Sequence, residues 1–372
     1  MSKLNRLHAI CPYFAMFPEQ FVQANVRMYS RKGDWVFDPF SGRGTTILQS
    51  LLMGRKAAGM DINPVAYCIS GAKANLPTLS RALHRISELE TMYDEANQER
   101  LERKRRSLPE FFGRAFHHET LRQLLFLRSQ LDWRDGTVDR FIAALSLGSL
   151  HGEMDKSSAY FSNQMPRTIS LKPAYSLSYW RKHNLWPRKR EVFTMLKEKA
   201  ALRLEGNEDV AKGRMRLQDA RRAGETFTSL ANQVKLVVTS PPYLDVTNFE
   251  EDQWLRLWFL GNAPKPTYGK ISSDDRHHKA TNYWGFLTQA WQGLARLMAP
   301  HSVIVCRIGG KGLSVAELTE GMEKSLKTIF PRGRFLKPPA LSSLKNRQTQ
   351  SFAPDATGCL FEVDYAFATL LQ

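Results

Sequence analysis

Two short segments of this 372-residue chain concentrate residue types that can handle a ligand. The first is a Gly-rich turn, DPFSGRGTT at 38–46, which follows a short apolar run. Glycines there let a ligand approach the backbone, and the helix start behind them favours a carboxylate or phosphate. The dinucleotide fingerprint GxGxxG is not met, because no third glycine follows Gly42 and Gly44 in register, which argues against a nicotinamide cofactor. Asp61 closes a second apolar run twenty-three residues after Asp38, where a carboxylate can accept both hydroxyls of a ribose. The second segment, VVTSPPYL at 237–244, ends an apolar run in two prolines. Pro241 and Pro242 lack an N–H but keep free carbonyls, so the turn offers acceptors, and Tyr243 adds a flat surface for a ring. That combination suits an exocyclic amino group whose nitrogen lone pair must be localised before it attacks an electrophile.

These residues need elements to position them. A Pro-opened helix over 18–30, a strand at Trp35–Phe37, a helix from Thr45 to Met53, a strand closing on Asp61 and a helix from Val65 to Ala74 make two strand–loop–helix units. Such units begin a doubly wound α/β sheet. From about Ser80 the pattern is helical without a strand signal; a Ser-, Pro- and aromatic-rich loop follows at 157–188, then a helix at 189–204. Strand character returns at Met215–Leu217 and at Val234–Val238. The sequence therefore predicts an α/β core in two parts, 1–78 and 213–372, around a mainly helical insert at 79–212. Later elements are a helix near 283–298, a strand at 302–308, a helix near 315–329 and a strand pair at 333–337 and 358–369. FEEDQWLRLWFL at 249–260 carries aromatics at helical spacing and reads as core packing behind the proline turn.

Composition narrows the classes. A hydrophobic fraction of 42% and a charged fraction of 24% are those of a globular chain. No run of about 18 apolar residues and no signal-peptide pattern is present, so no membrane partner and a cytosolic, cytoplasmic location are expected. Four dispersed cysteines without a CxxC pair argue against structural zinc and disulfides, and none follows a proline, against thiolate attack on cytosine C5. His277-His278 beside Asp274 and Asp275 reads as a solvated loop, so no metal is expected. The net charge of +17 makes a polyanionic partner plausible. Lys156, Arg167, Lys172, Arg181, Lys182, Arg188, Lys189 and Arg190 lie in a stretch with no acidic residue, interleaved with Tyr160, Phe161, Tyr175, Tyr179, Trp180 and Trp186. That stretch is a candidate phosphate-contacting, base-stacking surface, with Arg167, Lys172, Arg181, Lys182, Arg188, Lys189 and Arg190 as its DNA-binding residues. By contrast RLERKRR at 100–106, tempered by Glu99 and Glu102, reads as a solvated helix face.

DPFSGRGTT and TSPPY resemble motifs I and IV of the S-adenosylmethionine-dependent DNA amino-methyltransferases, the cytosine-N4 and adenine-N6 group. CPYFAMFPEQF at 11–21 is similar to the segment that packs over the methionine end of the cofactor in that family, with Cys11 and Met16 where His and Lys are usual. DINP at 61–64 resembles motif II, Gln218-Asp219-Ala220 resembles motif III, and HGEMDKSSAYFSNQMPRTIS at 151–170 is similar to an insert segment of site-specific members. The resemblance implies a Rossmann-like class I methyltransferase fold with S-adenosyl-L-methionine as cofactor. It implies cofactor contacts at Tyr13, Phe17, Asp38, Pro39, Phe40, Ser41, Gly42, Gly44, Thr45, Thr46, Asp61, Ile62, Asn63, Asp219 and Ala220, and catalysis by Ser240, Pro241, Pro242 and Tyr243. It further implies methylation of an extruded base in double-stranded DNA, with cytosine N4 favoured over adenine N6 because Ser rather than Asp opens SPPY. An RNA methyltransferase and a non-catalytic DNA-binding protein are the competing classes, and cognate restriction or defence-system proteins are candidate partners. The insert falls between motifs II and III, with Asp219 only 21 residues before Ser240, so the target-recognition role of the insert is an expectation from its charge rather than its position.

Overall fold

The computed structural model describes residues 5–13, 18–154, 159–166, 171–244, 249–267, 280–310, 312–343 and 361–370. In chain order its principal elements begin with α1 (Glu19–Tyr29), β1 (Trp35–Asp38), α2 (Thr45–Leu52), β2 (Lys56–Asp61) and α3 (Pro64–Ala74). A helical run follows: α4 (Leu79–Asp94), α5 (Gln98–Arg106), α6 (Glu110–Ala115), α7 (His118–Gln130), α8 (Thr137–Leu147), α9 (Pro173–Lys182) and α10 (Val192–Leu204). The remainder comprises β3 (Arg214–Leu217), α11 (Ala223–Thr226), β4 (Val234–Thr239), α12 (Phe249–Asp252), α13 (Trp254–Phe259), α14 (Ala280–Ala295), β5 (Met298–Ile308), α15 (Val315–Ile329), β6 (Arg334–Phe335), β7 (Ala340–Ser343) and β8 (Phe361–Ala368). No described helix is long and apolar enough to cross a membrane. The chain divides into two compact units: a helical unit of 1–12, 76–209 and 249–269, and a sheet unit of 13–75, 210–248 and 270–372.

In the sheet unit the strand order is β3-β2-β1-β4-β5-β8-β6, with β7 also paired to β8. The first five strands are mutually parallel, and β8 runs antiparallel to β5, β6 and β7. This is the Rossmann-like, doubly wound α/β arrangement expected from the sequence. Strand direction explains the layers. Alternate side chains face opposite sides, so Phe37, Val237, Ile304, Tyr365 and Phe367 join one buried cluster while Val36, Leu236, Val238, Val305 and Ala366 join another. Leu287, Trp291 and Leu294 of α14 and Leu318, Met322 and Leu326 of α15 complete the first cluster, and Val22 and Val26 of α1 complete the second. Each such apolar side chain contributes roughly 1.5–3 kcal/mol on burial. Helix starts are set locally: Asn63 caps α3 through a bond from the Val65 N–H, with Pro64 in the first turn, and Ser314 with Glu317 forms a capping box at α15.

The helical unit buries Phe112, Phe116, Phe141, Trp180 and Trp258 completely or nearly so. Two features depart from the sequence reading. The expected loop at 157–188 contains α9, which Pro173 opens and whose Ser176 and Trp180, one turn apart, supply the buried face. Segment 249–260 forms two short helices that pack within this unit, with Trp254 and Trp258 against Phe112 at 6.0 and 4.5 Å between ring centroids. β7 was also missed, because ALSS lacks alternation and its Leu341 is 61% exposed. The basic stretch of α5 is the solvated face expected: Leu101 is its one buried residue, and Arg105 and Arg106 both hold Glu102.

Candidate active site at the strand ends

Parallel strands point their C-terminal ends the same way, so Asp38 of β1, Asp61 of β2 and Thr239 of β4 finish on one edge of the sheet unit. Asp219 follows β3, whose Leu217 is in register with Asp61. Such an edge is where doubly wound sheets hold ligands. The turn after β1 is built for close approach. Gly44 starts α2 with φ +76, and a Cβ there would lie 2.8 Å from the Ser70 backbone. A Cβ on Gly59 would lie 2.4 Å from Ser41 Oγ and 2.7 Å from the Asp38 carbonyl oxygen, so only glycine lets β2 pass beneath the turn. Beneath the same turn the buried Lys73 donates from Nζ to the Arg43 carbonyl at 2.7 Å, and Arg43 in turn reaches Glu19 at 2.8 Å.

Asp38 is 1% exposed. Its Oδ1 accepts from Thr239 Oγ1 at 2.7 Å and from the Phe40 N–H at 3.1 Å, whereas Oδ2 has no hydrogen-bond partner. Burial, against the help of those bonds, pushes its carboxyl up to about 7. Asp61 accepts from the Gly42 N–H (2.8 Å) and the Asn63 N–H (2.9 Å), and burial raises it to about 6. Asn63 also donates from Nδ2 to the Tyr13 hydroxyl at 3.0 Å, and the Tyr13 ring comes within 3.7 Å of the position a Cβ would take on Gly42. Ile62 beside them is 53% exposed, an apolar surface left open at the strand end.

The remaining cofactor residues expected from the sequence divide by what their side chains already do. Ser41 donates to the Asp38 carbonyl at 2.9 Å and Thr46 to the Val238 carbonyl at 2.9 Å, both buried. Thr45 accepts from the Arg43 guanidinium at 3.1 Å, Phe40 packs edge-on to Phe286, and Pro39 is buried. The side chains of Ser41, Thr45 and Thr46 therefore shape the turn. Asp219 accepts from the Arg221 N–H at 2.9 Å and pairs with its guanidinium at 2.6 Å, ahead of the buried Ala220, so a ligand reaching its carboxylate shares it with Arg221. Phe17 lies outside the described residues, as do Asp274, Asp275, His277 and His278.

At the end of β4, Pro241 is buried and Ser240, Pro242 and Tyr243 are half-buried. Ser240 Oγ stands 3.4 Å from the Tyr243 hydroxyl, which donates to Glu362 Oε1 at 2.8 Å. Burial and the Glu362 charge raise the phenol well above its ordinary range. Sequence reading missed Glu362, together with Arg307 and Asp364 behind it. The available signal was a charge at an inward strand position: Glu362 and Asp364 share the β8 face of Ala366, and Arg307 shares the β5 face of Val305.

In the helical unit Lys172, Arg181, Lys182, Arg188 and Lys189 are exposed and Arg190 is half-buried, while Arg167 lies outside the described residues. Lys189 pairs with Glu119 at 2.5 Å and Glu191 at 3.0 Å, and Arg181 pairs with Glu110. Tyr175 and Trp186 are each 65% exposed, the latter with the Arg114 guanidinium 3.6 Å from its ring centroid. Phe161 and Trp180 are core residues.

Residues 2–70 match the DNA methylase (N6/N4) family, the segment that holds the Gly-rich turn and Asp61. The chain is 35% identical over 72 residues to the type II methyltransferase M.MjaII of Methanocaldococcus jannaschii, covering 19% of this chain and 14% of that one. It is 30% identical over 152 residues to the type II methyltransferase M.BsoBI of Geobacillus stearothermophilus, covering 38% of this chain and 28% of that one. It thus spans well under a third of the length of these curated relatives. Among solved structures, the rRNA methyltransferase aviRa of Streptomyces viridochromogenes aligns with a TM-score of 0.36 at 12% identity, covering 99% of this chain and 94% of that one.

Proposed function

We propose that this chain, a relative of the S-adenosylmethionine-dependent DNA amino-methyltransferases through its N-terminal segment, methylates the exocyclic amino group of a base flipped from double-stranded DNA, with cytosine N4 as the acceptor. One observation carries the reading. The two chemistry-bearing segments, 201 residues apart in sequence, are joined by the 2.7 Å bond from Thr239 Oγ1 to Asp38 Oδ1, so the ligand-approach turn and the Ser-Pro-Pro-Tyr turn share one strand edge.

The residues present fit S-adenosylmethionine. The buried, unpartnered Asp38 Oδ2 suits a cationic ammonium, the Asp61 carboxylate suits ribose hydroxyls, and the open Ile62 surface suits an adenine ring. Backbone N–H groups at the start of α2 suit a carboxylate. When bound, the cofactor supplies a methyl group on a sulfonium. Ser240 Oγ and the Pro241 carbonyl accept hydrogen bonds from the target amino group, drawing its nitrogen towards a tetrahedral, nucleophilic form. Tyr243 stacks on the base, which must leave the duplex for its amino group to reach the methyl. The proposed chemistry uses no cysteine attack, and among the described residues Cys11, Cys68 and Cys306 are buried. Lys172, Lys182, Arg188 and the exposed Tyr175 and Trp186 supply phosphate and stacking contacts to the nucleic acid.

The test is incubation with labelled cofactor and mixed-sequence plasmid, followed by nucleoside mass spectrometry. N4-methylcytosine is expected. N6-methyladenine would change only the acceptor base, methyl on cytosine C5 would overturn the mechanism, and transfer to RNA alone would move the substrate class. DNA retention with no transfer would leave a non-catalytic binding protein.

A further inference from the structure

Behind the Ser-Pro-Pro-Tyr turn, the sheet unit holds a group of charges that the proposed chemistry does not use. Arg307 of β5 and Asp364 of β8 are directly opposed across the antiparallel pair. The guanidinium grips Asp364 with two bonds, Nε to Oδ1 at 2.6 Å and Nη2 to Oδ2 at 2.8 Å, and lies 4.1 Å from the Phe21 ring centroid of α1. Its third nitrogen, Nη1, stands 3.4 Å from Glu362 Oε2, an ion pair rather than a hydrogen bond. The side chains of Arg307 and Glu362 are only 5% and 8% exposed. Into this group Tyr243 sends its hydroxyl, donating to Glu362 Oε1 at 2.8 Å.

Buried charge of this kind is costly, and replacing an ion pair by apolar residues is often neutral or stabilising, so stability alone is a poor reason for it. A simpler account lies in geometry. A phenol donating to a carboxylate makes a short, directional, charge-assisted bond. The carboxylate is itself fixed by Arg307, which is fixed by Asp364 and clamped against Phe21. The chain of contacts therefore runs from the sheet interior to the one aromatic ring of the proline turn. It restrains both torsions of Tyr243, and the same hydroxyl stands 3.4 Å from Ser240 Oγ, so the ring and the amino-group acceptor are set together.

We propose that Glu362, held by Arg307 and Asp364, is a positioning residue that orients Tyr243 and through it the Ser240 acceptor. This rests on the reading of 240–243 as the base-holding turn. A positioning role acts on the reacting arrangement rather than on cofactor affinity, so it separates kcat from cofactor KM.

The experiment compares the full chain with Glu362→Gln, Tyr243→Phe and the double variant. Gln preserves size while weakening the acceptor, and Phe removes the donor. Each single variant is expected to lower kcat for methyl transfer roughly tenfold, the equivalent of losing one charge-assisted hydrogen bond, with cofactor KM unchanged. The double variant is expected to match the worse single one, because both changes break the same bond. Additive losses, or a loss in melting temperature that accounts for the lost activity, would overturn the positioning role. A second readout needs no turnover: tetranitromethane nitration of tyrosines followed by peptide mass spectrometry. Tyr243 is expected to react several-fold faster in Glu362→Gln than in the parent, with the buried Tyr365 on the same strand as internal reference. Equal Tyr243 reactivity in both proteins sinks the inference, whatever the transfer assay shows. Faster nitration with no methyl transfer by the parent would instead keep the clamp and remove the reading of the turn as catalytic.

Discussion

Three buried charged side chains of the helical unit, Asp139, Arg140 and Arg256, are answered by their surroundings. Asp139 is held by two bonds from Arg85 and one from the Asp132 N–H, Arg140 donates to the carbonyls of Trp133 and Arg134, and Arg256 donates to the Leu147 carbonyl and to Gln253. Buried charge at the strand ends of the sheet unit is not. Asp38 keeps one oxygen without a partner, and burial lifts both Asp38 and Asp61 far above ordinary carboxyls. A satisfied buried charge holds a structure together; an unsatisfied one in a native chain calls for a ligand. The unpartnered carboxylate oxygen of Asp38 thus supports the proposal of a ligand site in the sheet unit without reference to any relative.

The largest effect that could break this contrast concerns Asp38. Its folded-state value of about 7 lies above that of an unfolded carboxyl, so the folded protein prefers the protonated form. The stability this group contributes is therefore fully present below the unfolded carboxyl's value of about 4 and is lost as pH rises from there to about 7, above which it changes no further. Asp38→Asn should stabilise the ligand-free chain at pH 8 by something on the order of 2–4 kcal/mol, and at pH 5 by a smaller amount of roughly 1–2 kcal/mol. Cofactor affinity should move the other way, lost in the variant and, in the parent, improving from pH 6 to 8 as the carboxylate ionises. Thermal melts at both pH values and calorimetric titration measure the two. A destabilised Asp38→Asn at pH 8 would mean that Oδ2 is not a strained vacancy for charge but a structural acceptor.

Next in size is Asp61→Ala, which removes the proposed ribose acceptor and the partner of two backbone N–H groups. Cofactor binding should weaken by roughly 1.5–3 kcal/mol, the worth of a hydrogen bond to a charged group. Unchanged affinity by calorimetry would detach Asp61 from the site. Tyr243→Ala follows: it should keep cofactor affinity while losing base stacking worth roughly 1–3 kcal/mol. A mismatch opposite the target base should partly restore its rate, since a poorly paired base costs less to extrude.

Legibility in sequence tracked the range over which each feature is determined. The β1, β2 and β4 strands and their turns follow from local apolar runs ended by Gly and Pro, and in a doubly wound sheet these carried Asp38, Asp61 and Ser240–Tyr243 onto one edge. What escaped depends on pairing across long separations. Glu362 is 119 residues from Tyr243 and 55 from Arg307, and nothing near FEVDYAFA says which strand will face it. The same distance problem bears on the charge count: Glu191, the next residue, is visible in sequence, but Glu119, far upstream, also reaches Lys189 in space.

That last point fixes the smallest expected effect, on the helical unit's surface. Replacing Arg188, Lys189 and Arg190 together with Ala would flatten the dependence of log K on log salt by nearly three units if each made a free phosphate contact, at about 0.9 per contact. Lys189, however, already sits between Glu119 and Glu191, and its ammonium must leave both carboxylates to meet a phosphate. Exposed ion pairs are worth little, so the exchange costs little in free energy, but it cancels most of the counterion release from that residue, since the freed carboxylates recover cations from solution. Arg190, with its backbone tied through both N–H and carbonyl to Thr120, remains as an anchored cation, and Arg188 is exposed. The slope should therefore fall by about two units rather than three. A fluorescence salt titration would show it, and Lys189→Ala alone should leave the slope nearly unchanged. An unchanged slope in the triple variant would take this stretch out of the nucleic-acid surface and leave the contrast between the units resting on the strand edge alone.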